Sequence, residues 1–157
     1  MMSAERVVLV CGATGRQGGA VARRLLGEGW RVRALTRHPE GAAARGLRES
    51  RADVVGGDLD DAGSLRRALD GVEGVFGVTE FWEHGFRAEV RQGKKLVDAA
   101  RSVGVRHFVF SSVGGTNRSS GHYKVGPSLV AQFRWNNRSD TCGWDADLGA
   151  LRNLHPI

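Results

Sequence analysis

At 157 residues the chain holds enough for one domain with a proper core and too little for two ordinary ones, and its 41% hydrophobic and 25% charged content is that of a soluble globular protein. No apolar run is long enough to span a bilayer, and the start MMSAERVVLV has neither a basic leader nor an apolar export segment, which predicts a cytoplasmic protein. The net charge of +6 predicts affinity for anions, but the arginines lie beside acids such as Glu28, Asp61 and Asp98 rather than in a stripe, which argues against direct nucleic-acid binding.

The first strand is expected over 6–11, ending at Cys11, which reads as a buried, inert thiol. A glycine-rich turn follows, then a helix whose apolar face holds Val21, Leu25 and Leu26. A second strand is expected over 31–36, followed by a weakly patterned, Ala-rich connection around 40–50. The third strand, 53–55, precedes a helix with Ala62, Leu65 and Leu69 on one face. The fourth, 75–78, precedes a helix with Val90, Gly93, Val97 and Ala100 on one face, and 106–110 is the fifth. Strand–helix alternation at this spacing means right-handed βαβ units. The expected fold is α/β, a Rossmann-type doubly wound parallel sheet in three layers with strand order 3-2-1-4-5, binding ligands at the carboxyl ends of the strands.

Beyond about residue 117 the rhythm stops. All four asparagines and two of the four tryptophans lie there, and the last glutamate is Glu89. The expected division is a nucleotide-binding domain over 1–116 and an atypical, irregular tail over 117–157. The switch in composition suggests a truncated or frame-shifted product. Two N-x-S sequons, at Asn117 and Asn137, mean little without a secretion signal. Cys11 and Cys142 form no disulfide framework, and the five histidines show no ligand spacing, so no metal site is expected.

The first turn reads Gly12-Ala13-Thr14-Gly15-Arg16-Gln17-Gly18-Gly19. A diphosphate needs backbone N–H groups pointing at it and no Cβ in the way, and a helix N-terminus adds a favourable dipole. Gly12 would make the tight turn, Gly15 would allow close backbone approach, and Gly18 would let the helix press on the sheet. The spacing G-x-x-G-x-x-G, placed between a strand and a helix, points to dinucleotide binding; the competing reading is a structural turn. At the end of the second strand an NAD site places an acid for the ribose 2′-hydroxyl. This chain has Thr36-Arg37-His38, and Arg37 could clamp a 2′-phosphate bidentately, with Arg16 nearby. NADP(H) is therefore preferred over NAD(H), unless Arg37 is only a solvated loop residue. Asp58 and Leu59 follow the third strand, where a carboxylate and an apolar side chain would edge the adenine, and Asp60 or Asp61 would cap the next helix. Thr79, Glu80 and Phe81 stand near the cleft mouth after the fourth strand, as do Ser111 and Ser112 after the fifth.

GATGRQGGAVARRLL, VRALTRHP, VVGGDLDD, VTEFWE, QGKKLVDAA and HFVFSSVGG, in this order, resemble the NmrA-like family, which includes NADP(H) sensors of the HSCARG type. The resemblance covers 6–115. It implies a fold similar to short-chain dehydrogenases, with members that act as redox-responsive regulators through protein partners and others that reduce quinones or other small molecules. By position it implies the diphosphate at Gly12 to Gln17, the 2′-phosphate at Arg37, the adenine at Asp58 and Leu59, and the ribose and nicotinamide at Thr79, Glu80 and Phe81. It also implies a basic residue near the cofactor at Arg91.

The departures carry as much weight. Family members run to about twice this length, and the match stops soon after Gly115. A short-chain dehydrogenase uses a tyrosine four residues before a lysine as proton donor. Here the lone tyrosine, Tyr123, has Lys124 beside it and Pro127 four residues on, and adjacent helical side chains do not face one another. No catalytic residue is assigned. Three functions follow: an NADP(H)-binding redox sensor or regulator without turnover of its own, an NAD(P)H-dependent oxidoreductase acting on a small molecule such as a quinone, or a non-functional fragment with an exposed sheet edge.

Overall fold

A parallel sheet covered by helices needs apolar side chains on both faces, and strand β1 (Val7–Cys11) supplies them in alternation. The structure, a computed structural model, describes residues 6–79, 81–111 and 134–136, with side chains described for 6–79 and 88–111. Leu9 and Cys11 project into one core, while Val10 belongs to the other with Val8 packed against it. Around β1 stand β2 (Arg31–Thr36), β3 (Asp53–Gly56), β4 (Gly74–Val78) and β5 (His107–Ser111), all parallel, in the order β3-β2-β1-β4-β5. Val10 pairs with Ala34 on one side and Phe76 on the other. The chain thus folds as the expected α/β, Rossmann-type sheet.

Helices α1 (Arg16–Gly27) and α2 (Ala42–Glu49) cover one face, where Ala22 and Leu47 meet Val10, Val32 and Ala34. The second helix is the weakly patterned connection of the sequence. Ala44 and Leu47 are its buried apolar residues, so packing on the sheet rather than a long apolar stripe holds it. Helices α3 (Ala62–Leu69) and α4 (Phe81–Ser102) cover the other face, with Leu65, Leu69 and Leu96 fully buried against Leu9, Phe108 and Phe110. Arg33 ties β2 to the end of α3, its Nη1 donating to Ala68 O at 2.8 Å and Asp70 O at 2.7 Å. That satisfies carbonyls the helix leaves open.

Two expectations need correction. Ala62 is exposed: it stands at the first position of α3, ahead of the packed stripe Ser64, Leu65, Ala68 and Leu69. On α4 the buried stripe runs Glu89, Gln92, Gly93, Leu96 and Ala100, leaving Val90 and Val97 half-buried. Two polar residues occupy that face, Glu89 bonded to Thr79 through one oxygen and Gln92 to Asp60, which an apolar pattern does not reveal. Within the tail, Arg134–Asn136 form a short strand β6, antiparallel to β5 with Trp135 opposite Phe108. A three-residue strand is too short to show alternation, yet it pairs the edge of β5 that a five-stranded sheet would leave open. Val109 on β5 is still 48% exposed.

Among the described residues no helix is long and apolar enough to cross a membrane, and no cluster of His, Cys, Asp and Glu has the makings of a metal site.

Candidate dinucleotide site

Strand order places the site. The chain leaves β1 toward β2 and β3 on one side and returns to β4 on the other, which opens a crevice at the carboxyl ends of β1 and β4. The first turn is built to sit there. Gly12 has φ +61°, and a Cβ on it would stand 2.8 Å from Val78 Cγ1 at the end of β4. Gly15 N donates to Gly12 O at 2.9 Å, closing the turn. A Cβ on Gly18 would stand 2.3 Å from Gly12 O, so only glycine lets α1 press on the loop that precedes it. Gly15 is the N-cap of α1, with no side chain to cap it. The N–H groups of Arg16, Gln17 and Gly18 therefore lack intrahelical acceptors and form an electropositive rim.

One cleft gathers residues from all four turns. Gly12 and Thr14 line it after β1, and Leu35, Thr36, Arg37 and His38 at the end of β2. Gly57, Asp58, Leu59 and Asp60 follow β3, Val78 and Thr79 end β4, and Gln92 reaches in from α4. Gly12, Thr14, Arg37, Asp58, Leu59 and Thr79 thus line one cleft. The side chain of Ala13 is buried in the core beneath the turn. Arg16 is exposed at the start of α1. Gln17 donates from its side-chain amide to Ser111 Oγ, bridging α1 to the end of β5. Glu80 and Ser112 lie outside the described residues, as do Asn117, Tyr123, Lys124, Asn137 and Cys142, and of Phe81 only the backbone at the start of α4 is described.

Hydrogen bonds fix the walls. His38 N donates to Thr36 Oγ1 at 3.1 Å, and Gly41 N to His38 O at 3.1 Å, which hold the Arg37–His38 turn over the cleft. Asp60 N donates to Asp58 Oδ1 at 2.8 Å. Of the two possible caps, Asp61 caps α3, accepting from Gly63 N at 2.9 Å, and its carboxyl is held below the ordinary range first by that bond.

Asp60 has a different role. Its carboxylate accepts from Arg91 Nε at 2.8 Å and Nη2 at 3.1 Å, from Gln92 Nε2 at 2.9 Å and from Lys95 Nζ at 3.2 Å. The Arg91 guanidinium, then Gln92, holds this carboxyl well below the usual carboxylate range. Arg91 is therefore a fastener between α4 and the turn after β3, and it does not line the cleft.

Cys11 is fully buried, and burial pushes its thiol up to about 12. Sequence reasoning missed Thr36, His38, Asp60 and Gln92 as cleft residues. His38 was within reach, being adjacent to Arg37; nothing in the sequence announced Gln92.

The pattern of the NmrA-like family matches residues 4–129, past Gly115 where the sequence resemblance stops. The chain belongs to the NmrA-like family. An NmrA-like family domain-containing oxidoreductase of Aspergillus hancockii is 42% identical over 117 residues, covering 71% of this chain and 35% of the relative. Among solved structures, NmrA, a negative transcriptional regulator, in complex with NADP matches with a TM-score of 0.60 at 26% identity, covering 70% of this chain and 34% of that one. NmrA in complex with NAD matches with a TM-score of 0.62 at 27% identity, over 71% of this chain and 34% of that one. The chain spans about a third of the length of these NmrA-like relatives.

Proposed function

We propose that this chain binds NADP(H) across the carboxyl ends of β1 and β4, in preference to NAD(H), and acts as a redox-sensing regulatory protein through a protein partner, without turnover of its own. The observation that carries the cofactor choice is Arg37, which lines the cleft at the end of β2 beside His38, where an NAD site would hold an acid. The glycine turn fits a diphosphate: a Cβ at Gly12 or Gly18 would collide, and the first N–H groups of α1 are open to an anion.

In this reading Gly12, Thr14, Gly15, Arg16 and Gln17 hold the diphosphate, and Arg37 takes the 2′-phosphate. Asp58 and Leu59 edge the adenine, while Thr79, Glu80 and Phe81 line the ribose and nicotinamide side. Arg91 acts at one remove by holding Asp60. Bound NADPH supplies a hydride. The likeness to NmrA, a negative transcriptional regulator solved in complex with NADP, supports the regulatory reading.

The test is titration of the chain with NADPH and NADH, read by thermal melt. A specific ligand stabilises the fold by RT ln(1 + [L]/Kd), about 2.7 kcal/mol at a hundredfold excess over Kd. Arg37→Ala should weaken NADPH by about tenfold to a hundredfold, the loss of a charge-assisted bond, and leave NADH unchanged. Equal shifts with both dinucleotides would remove the case for Arg37.

A second reading, an oxidoreductase, is favoured by the names of the similar fungal proteins. Steady NADPH oxidation with a quinone or carbonyl panel would establish it over the sensor.

A further inference from the structure

Among the described residues one buried side-chain polar atom has no hydrogen-bond partner: Oε2 of Glu89. Glu89 lies on α4 and is 8% exposed, while its other oxygen, Oε1, accepts from Thr79 Oγ1 at 3.2 Å. Burial raises its carboxyl above the ordinary range, against the pull of the Thr79 bond. Arg91 and Lys95 of α4 are bound to Asp60. A buried carboxyl with an orphan oxygen costs the fold free energy, and an apolar side chain of the same length would fill the space more favourably. Glu89 differs here from Gln92, whose amide is used on Asp60. What Glu89 does hold is Thr79, and Thr79 lines the cleft.

The position of Thr79 defines its share of a ligand. Arg37 stands on the β2 side of the Gly12 turn and Thr79 on the β4 side. A dinucleotide with its 2′-phosphate at Arg37 and its diphosphate on α1 carries its second ribose toward β4. The Thr79 hydroxyl hydrogen is committed to Glu89, so its oxygen has lone pairs left to accept a bond. We propose that Glu89 is a positioning residue for the nicotinamide half of the ligand: through Thr79 it presents a fixed acceptor to a hydroxyl of the second ribose. The inference rests on the NADP(H) reading above.

Two probes separate the halves: NADPH, and adenosine 2′,5′-bisphosphate, which has the adenine half alone. In the full chain, Glu89→Met should weaken NADPH by about threefold to tenfold, the worth of one hydrogen bond. It should leave the bisphosphate unchanged and should not lower the unliganded melting temperature. Glu89→Gln, which keeps a carbonyl acceptor, should bind NADPH as the wild type does. Thr79→Val should match Glu89→Met, and the double variant should lose nothing further. Where Glu89→Met does not fold, Thr79→Val and Glu89→Gln decide: selective loss of NADPH in the first with wild-type binding in the second supports the proposal. Equal weakening of both probes, no weakening of either, or additive losses overturn it. A wild-type chain that binds neither probe overturns the NADP(H) reading as well, whereas binding of both with an indifferent Glu89→Met overturns this inference alone.

Discussion

Asp60 is the most heavily bonded carboxylate among the described residues, and its removal has a calculable effect. Of its donors, Arg91 and Lys95 are 52% and 38% exposed, so both regain water when the carboxylate is lost. Each such exposed pair contributes about 0–1 kcal/mol. Gln92 is 6% exposed and loses the acceptor of its amide, which costs about 1–3 kcal/mol. Lys95 keeps its 2.8 Å bond to Asp60 O, which any residue at 60 supplies. Asp60→Ala should therefore destabilise the fold by about 2–3 kcal/mol, most of it through Gln92. At about 2–4 °C per kcal/mol for a chain of this size, the melt should fall by about 4–12 °C.

The pH dependence follows from the sign of the shift. The folded carboxyl titrates below its ordinary value of 3.8, so its contribution is present above that pH and is lost as pH falls through the folded value. Urea denaturation of the wild type and Asp60→Ala at pH 7, 5 and 3 should show a gap that is constant between the first two and narrows at the third. A gap under about 0.5 kcal/mol at pH 7 would mean that these contacts are solvated ion pairs of no consequence.

Two glycine substitutions should have opposite outcomes. Gly18→Ala puts a Cβ 2.3 Å from a backbone oxygen, so the turn must open; a loss of about 3 kcal/mol or more in melts, with NADPH binding abolished, is expected. Gly46→Ala lies exposed in the middle of α2 with nothing within 4 Å, and should stabilise by about 0.5–1 kcal/mol. Cys11, in a Cys142→Ser background, should resist iodoacetamide at pH 8 until the chain unfolds, because burial keeps its thiol protonated; labelling at the rate of a free thiol would show that the strand opens.

The strands, their order and the glycine turn were legible in the residues themselves. A parallel sheet demands continuous Val, Leu and Phe runs, and a turn pressed between a strand and a helix demands glycine where a Cβ would collide, so both leave local marks. Arg37 was legible for the same reason, because its place is counted along the chain from the end of β2. What the sequence alone could not decide depends on residues far apart in the chain. The buried stripe of α4 includes Glu89 and Gln92, which meet Thr79 and Asp60 there, and polar side chains placed in this way escape any apolar pattern. The Arg91–Asp60 bond and the Gln17–Ser111 bridge likewise join positions 31 and 94 residues apart. Strand β6 pairs with the edge of β5, and a run of three residues is too short to announce that pairing in the sequence. Local chemistry is written in sequence; the choice of partner for a buried carboxylate is made only when the helices close on the sheet.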